Sequence, residues 1–194
     1  MACKRILMLE ACGIAGEEHE CGGICNQAKL YNIEVINKNV VDNKDLDIIL
    51  QSNETFDYIY LSSHGDIEGF ASENGKVDIS WSEFAALLCS TGCMNDDCII
   101  MLSCCRARLN QVAYTLFANC THVSYVVGPR QSLTSQEMHI CFGIFFYSVE
   151  IRDIDPVVAC EKIKAATDRR FSCYDREEVG EEIYRAYLNI GETL

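Results

Sequence analysis

Five apolar runs constrain this chain more than any other feature. They lie at 4–12 (KRILMLEAC), 33–40, 57–63 (DYIYLSS), 98–104 and 122–128 (HVSYVVG), and each is continuous rather than alternating. A strand with a polar residue at every second position has one wet face, whereas a strand that is apolar throughout must be covered on both. Patterns of helical period separate the runs, at 17–31, 44–51, 81–90, 107–119, 136–151 and 155–170. A last amphipathic stretch follows at 177–189, with Val179, Ile183 and Ile190 roughly on one side. Ser80 with Glu83, and Thr134 with Glu137, have the spacing of a capping box, and Pro156 suits a first helical position. Strand–helix alternation of this kind predicts an α/β fold, a three-layer α/β/α sandwich with a mostly parallel, right-handedly wound central sheet. Segment 69–79 (GFASENGKVDI) interrupts the alternation, and its Asn74-Gly75 is a hairpin turn signal, so a small hairpin insertion is expected there. With 194 residues and no repeat, linker or low-complexity tract, residues 1–194 read as a single domain.

Twenty-nine acidic against 16 basic residues leave a net charge of −13. Phosphates are repelled by such a surface, which argues against nucleic acid or an anionic membrane as partner. No apolar run approaches the roughly 18–20 residues of a membrane span, and the opening Met-Ala-Cys-Lys-Arg builds no ordinary signal peptide. The 13 cysteines are therefore read as reduced thiols of a cytoplasmic protein, since disulfide frameworks belong to small secreted domains. Cys12, Cys21 and Cys25 near His19, and Cys89, Cys93 and Cys98, lack the paired short spacings of a zinc ribbon or finger. No metal site is assigned, and cysteine is taken as a small core hydrophobe. No cofactor is expected either. Gly13-x-x-Gly16 follows the first strand as a phosphate cradle would, but a third glycine and a Lys-Ser/Thr follower are missing.

In open α/β sheets, reactive groups collect beyond the carboxyl ends of the strands. Two such ends carry chemistry. The third strand finishes Leu61-Ser62-Ser63-His64-Gly65-Asp66, and the fourth finishes Leu102-Ser103-Cys104-Cys105-Arg106. If these strands are neighbours, an imidazole and a thiol face each other across the mouth of the sheet. A thiol attacks as thiolate, which needs a base or a positive potential nearby. His64 is the base, and a helix starting near Ala107 aims its positive end at the preceding cysteine. Side chains alternate along a strand, so one cysteine of the pair faces the crevice. Cys105, at the strand-to-helix corner, is the better placed as nucleophile, and Cys104 is expected to pack into the core. The amides of Gly65 and Cys105 are the candidate oxyanion donors. His122, at the start of a strand, and His139, within an apolar helix, are read as packing residues.

Strand-His-Gly, a hairpin insertion, a helix and then an apolar strand ending x-Cys-Cys-Arg-Ala resembles the caspase-like cysteine peptidases. Those carry Ser-His-Gly and Gln-Ala-Cys-Arg-Gly at the two places. The similarity is closer to the CHAT branch, whose His-Gly and Leu-Ser-Ala-Cys map onto His64-Gly65 and Leu102-Ser103-Cys104-Cys105. It extends over about residues 55–170, through Tyr125 to Gly128, the aromatic stretch FGIFFY and an Ala-rich helix. The resemblance implies a cysteine endopeptidase acting on protein or peptide substrates, in which Cys105 attacks the carbonyl and His64 protonates the leaving amine. The family's dyad needs no acidic third member, and none is assigned. A protease of this sort must be restrained, so activation by a small ligand or protein partner is expected, and family analogy suggests a bacterial antiviral defence or cell-death effector.

Substrate preference stays open. Basic-specific relatives often place an aspartate where this chain has Ser103, and the tryptophan and aspartate usual after the fifth strand are replaced by Gly128-Pro129-Arg130-Gln131. Arg130 or Arg106 suits an acidic side chain, while Asp66, with Glu68, suits a basic one. Two rival readings make different demands. An amidotransferase-like cysteine hydrolase takes its histidine from after the nucleophile, which singles out His122; a catalytically silent sensor or adaptor needs neither histidine.

Overall fold

A computed structural model describes residues 3–105 and 109–180, with Cys105 described through its backbone. Among these residues the elements run β1 (Arg5–Glu10), α1 (Glu17–Leu30), β2 (Glu34–Asn39), α2 (Asn43–Leu50), β3 (Phe56–Gly65), β4 (Gly69–Ala71), β5 (Asp78–Ser80), α3 (Trp81–Thr91), β6 (Met94–Cys105), α4 (Leu109–Asn119), β7 (Val123–Pro129), α5 (Ser135–Phe146), α6 (Pro156–Thr167), β8 (Phe171–Asp175) and α7 (Arg176–Val179). The central sheet has the order β2-β1-β3-β6-β7-β8. Its first five strands are parallel; β8 is antiparallel to β7, and β4 is antiparallel to both β3 and β5. The expected α/β sandwich with a mostly parallel sheet is what the chain forms.

Alternation along the continuous apolar strands feeds two cores. From β3 and β6, Ile59, Leu61, Ile100 and Leu102 pack with Leu46 of α2, Phe84 and Leu88 of α3, and Leu116 of α4. The intervening Tyr58, Tyr60, Ile99 and Met101 pack with Ile24 of α1, Phe142 and Phe146 of α5, and Ile163 of α6. Tyr60 and Phe171 each meet the Phe142 ring edge-on, with centroids 5.2 Å apart in both cases. Cysteine is core material: apart from Cys3 and Cys89, the cysteines whose side chains are described are buried. Both capping boxes form, Ser80 with Glu83 and Thr134 with Glu137, and Asp155 accepts from the amides of Val157 and Val158 ahead of Pro156.

Four boundaries differ from the expectations. β3 and β6 reach Gly65 and Cys105, so His64 and Cys105 end the sheet instead of starting loops. β6 also begins earlier, at the buried Met94, and runs through the polar Asn95 to Asp97, where the pairing with β3 slips at a bulge and Asp97 adopts φ 63°. The helix expected over 136–151 changes to a π-helical turn at Tyr147–Ile151, which sets Glu150 against the Tyr58 hydroxyl and 2.8 Å from Lys4 Nζ. β8 was not foreseen, because FSCYD is short and flanked by charge. Its end is held by Arg176, whose guanidinium donates to the carbonyls of Val123, Phe117 and Cys120. Arg106, the start of the helix expected at 107 and residues 181–189 of the last expected helix lie outside the described residues.

The hairpin insertion at 69–79 is present. Gly69 is required within it: a Cβ there would stand 2.2 Å from the Ile79 carbonyl oxygen, where the β4 and β5 backbones close on one another.

Candidate active site

β1 has β2 on one side and β3 on the other, so the chain reverses its direction of travel across the sheet at β1 and β3. Ligands of open α/β sheets lie at such a switch point, outside the carboxyl ends of the strands. The chemistry-bearing residues meet one strand over, at the carboxyl ends of β3 and β6. In the parallel pairing of β3 with β6, Ser62 is opposite Ser103, Ser63 opposite Cys104 and His64 opposite Cys105. Neighbouring strands are about 4.8 Å apart, so the last two partners sit side by side at the rim. His64 is half exposed.

Its ring is held from the hairpin. His64 Nε2 lies 2.8 Å from Glu73 Oε2. Glu73 stands in the turn between β4 and β5, and that turn is fixed by its own amide, which donates to the Cys12 carbonyl (2.7 Å). With the Nε2 proton donated to the carboxylate, Nδ1 is the basic nitrogen. The arrangement supplies an acidic partner that the sequence reading did not assign. Its signal was the Asn74-Gly75 turn, which folds the preceding residue back over the end of β3.

Cys104 is buried among the β3–β6–α4 apolar residues, 3.2 Å from Ser63 Oγ, as expected of the packing member of the pair. Cys12, also at this rim, is no alternative nucleophile: burial, with neighbouring Glu17, pushes its thiol up to about 12. Ser103 is buried, and its hydroxyl donates to Glu20 Oε1 at 2.5 Å. The Tyr60 hydroxyl donates to the same oxygen at 2.6 Å. Burial raises the Glu20 carboxyl above the usual range, against the opposing pull of the Ser103, Tyr60 and Ser135 hydroxyls. Glu20 was also missed, although it falls with Cys21 and Ile24 on the buried face of α1, a place where a carboxylate needs a reason.

The remaining assignments divide. Gly65 pairs with Phe70 and, with His64 and Asp66, lines a small cleft of about 150 Å³. Asp66 is turn structure: its Oδ1 accepts from the amides of Glu68 and Gly69, and its carbonyl accepts from Trp81 Nε1. Arg130, at the carboxyl end of β7, donates to the Tyr174 hydroxyl at 3.0 Å, on the far side of β6 from His64. His122 is at the opposite end of the sheet, bonded to Asp96, with its carbonyl accepting from the Cys98 amide. Seven strand residues, roughly 23 Å, separate that level from Cys105, so His122 and Cys105 are not brought together.

The Gly13-x-x-Gly16 loop holds no vacant phosphate cradle. The Cys12 and Gly13 amides already donate to the Glu17 carboxylate, at 2.9 and 2.7 Å. Among the described residues no group of three or more His, Cys, Asp or Glu has the geometry to hold a metal ion, and no helix is long and apolar enough to cross a membrane. Compared with protein-family models and with curated proteins, the sequence matches none.

Proposed function

We propose that this protein is a caspase-like, CHAT-type cysteine endopeptidase acting through His64 and Cys105. The observation that carries the reading is the register of β3 against β6, which puts these two residues opposite one another at the carboxyl rim. In the reaction, the Cys105 thiol gives its proton to His64 Nδ1 and the sulfur attacks the peptide carbonyl carbon. The oxyanion is met by the Gly65 and Cys105 amides. The C–N bond then breaks, His64 returns the proton to the leaving amine, and water hydrolyses the thioester with His64 as base. Glu73 orients the imidazole through its bond to Nε2. Restraint until a small ligand or protein partner binds, and a role in defence or cell death, follow from the family analogy alone.

The test is digestion of a peptide library by the full chain, with and without candidate activators, beside Cys105→Ala and His64→Ala. Cleavage abolished in both variants supports the reading. Turnover that persists in Cys105→Ala rejects it.

A further inference from the structure

Four free thiols gather where α3, α4 and β6 meet: Cys89, Cys93, Cys98 and Cys120. Of these Cys89 is exposed, and the other three are no more than 1% exposed. The Cys120 sulfur is aimed at α3, where it donates to the Ala85 carbonyl at 3.0 Å. In an α-helix that carbonyl also receives the amide of residue 89, so the buried sulfur stands in the last turn of α3, beside Cys89. The two thiols are in hydrogen-bond contact. The Cys120 backbone is held as well: its amide donates to the Leu116 carbonyl at 2.8 Å, and its own carbonyl accepts from Arg176. A solvent-facing thiol thus meets a fixed one directly behind it. The other exposed thiol, Cys3, is turned instead to the Asn32 carbonyl.

Exposure, with a second thiol in reach to resolve the oxidised one, is what a peroxide-sensing cysteine needs. Cys120 by itself is a poor reactant, because burial pushes its thiol up to about 12. Contact with Cys89 replaces the collision that the same reaction requires in solution. We propose that Cys89 and Cys120 are a redox pair, which hydrogen peroxide oxidises to a disulfide that fastens α3 to α4. In the first step the Cys89 sulfur attacks one peroxide oxygen and the O–O bond breaks; the departing hydroxide takes the thiol proton as water, leaving a sulfenic acid. The Cys120 sulfur then attacks the Cys89 sulfur, the S–O bond breaks, and the hydroxyl leaves with the Cys120 proton as a second water. Two thiols lose two protons and two electrons, and the peroxide is reduced to two waters. Closing the sulfurs to the ~2.05 Å of a disulfide calls on the exposed Cys89 side chain, at the end of its helix. The bond closes a loop that contains all of β6 and α4. Reversible disulfides of this kind are the ones that occur in reducing compartments. The pairing is independent of the peptidase reading of His64 and Cys105.

Peroxide treatment of the full chain tests the pair. The reduced protein, freed of reductant, is exposed to a small excess of hydrogen peroxide, blocked with N-ethylmaleimide in denaturant and mapped by mass spectrometry without reduction. The expected result is a peptide linked through Cys89 and Cys120 as the main disulfide, a thermal midpoint raised by about 5 °C, and reversal of both by dithiothreitol. In Cys120→Ser the same treatment should leave Cys89 as a sulfenic acid, trapped by dimedone, with no shift in midpoint. In Cys89→Ser it should leave Cys120 unmodified. Cys105→Ala should form the link at the wild-type rate; a link lost in that variant overturns the proposal by making Cys105 the site of oxidation. Cys89 left as a thiol, or carried on to sulfinic acid while Cys120 stays reduced, overturns it too. So does a disulfide from Cys89 to any other cysteine, including the Cys89 of a second chain. The linked peptide is read in the wild type, so the test stands even where a variant does not fold.

Discussion

His64 Nε2 and Glu73 Oε2 lie 2.8 Å apart, across the gap between the end of β3 and the β4–β5 turn. Both side chains are well exposed, at 49% and 66%, and an ion pair in that setting contributes only about 0.2–1 kcal/mol. Glu73→Gln is therefore expected to lower kcat/KM by no more than about 5-fold, the rate equivalent of 1 kcal/mol. His64→Ala removes the proposed base and should cost ~10²–10⁴-fold. Measuring both variants on one peptide separates orientation from proton transfer, and equal losses would make Glu73 more than an orienting group.

The aromatic contacts beneath the site predict where stability is concentrated. Phe142 is fully buried and meets Tyr60 and Phe171 edge-on. Phe142→Ala should lower the unfolding free energy by about 3–5 kcal/mol, from lost burial and the cavity left behind. Urea denaturation measures it. A loss under about 1 kcal/mol would mean that α5 does not close this core.

Much of this arrangement was legible because the apolar runs are long and unbroken. Leu61 and Leu102 had to sit in strands, and the residues that followed them had to be at strand ends, so His64 and Cys105 were bound to meet once those two strands proved to be neighbours. Less legible was whatever depended on two segments folding towards one another. Glu73 reaches His64 only because a hairpin bends back, and Glu20 reaches Ser103 only because α1 crosses the rim; neither distance has a trace in local periodicity. The edge strand β8 and the π-helical turn were lost for a related reason. Each is held by a distant partner, Arg176 to the carbonyls ending α4 and starting β7, and Glu150 to Lys4.

The cysteines predict a pattern of reactivity. Burial pushes the thiols of Cys12 and Cys120 up to about 12. At pH 8 such a thiol is ionised to about one part in 10⁴, against roughly a quarter for one at the ordinary value of about 8.5. Iodoacetamide should therefore modify the exposed Cys3 and Cys89 in the native protein while leaving Cys12 and Cys120 at least ~10³-fold slower. Peptide mapping by mass spectrometry after timed quenching gives the rates. Fast alkylation of Cys12 would make it a competing thiol at the rim.

Glu20 predicts the pH dependence of stability. Burial raises its carboxyl in the folded state, so between the ordinary value near 4.5 and the raised one the folded chain keeps a proton that the unfolded chain has released. Stability contributed through this group therefore falls as pH rises through that window and stays lost above it. Glu20→Gln removes the proton exchange while keeping an oxygen for the Tyr60 and Ser103 hydroxyls. The variant should match the wild type below about pH 4.5, where both side chains are neutral, and exceed it in stability at pH 8. Urea midpoints across pH 4–8 test this. The capping carboxylates Glu83 and Glu137, lowered by their bonds to Ser80 and Thr134, push total stability the opposite way but are common to both chains and cancel in the difference. Buried at this cost, the Glu20 carboxylate destabilises its own fold at neutral pH, and a variant no more stable than the wild type at pH 8 would show that it does not.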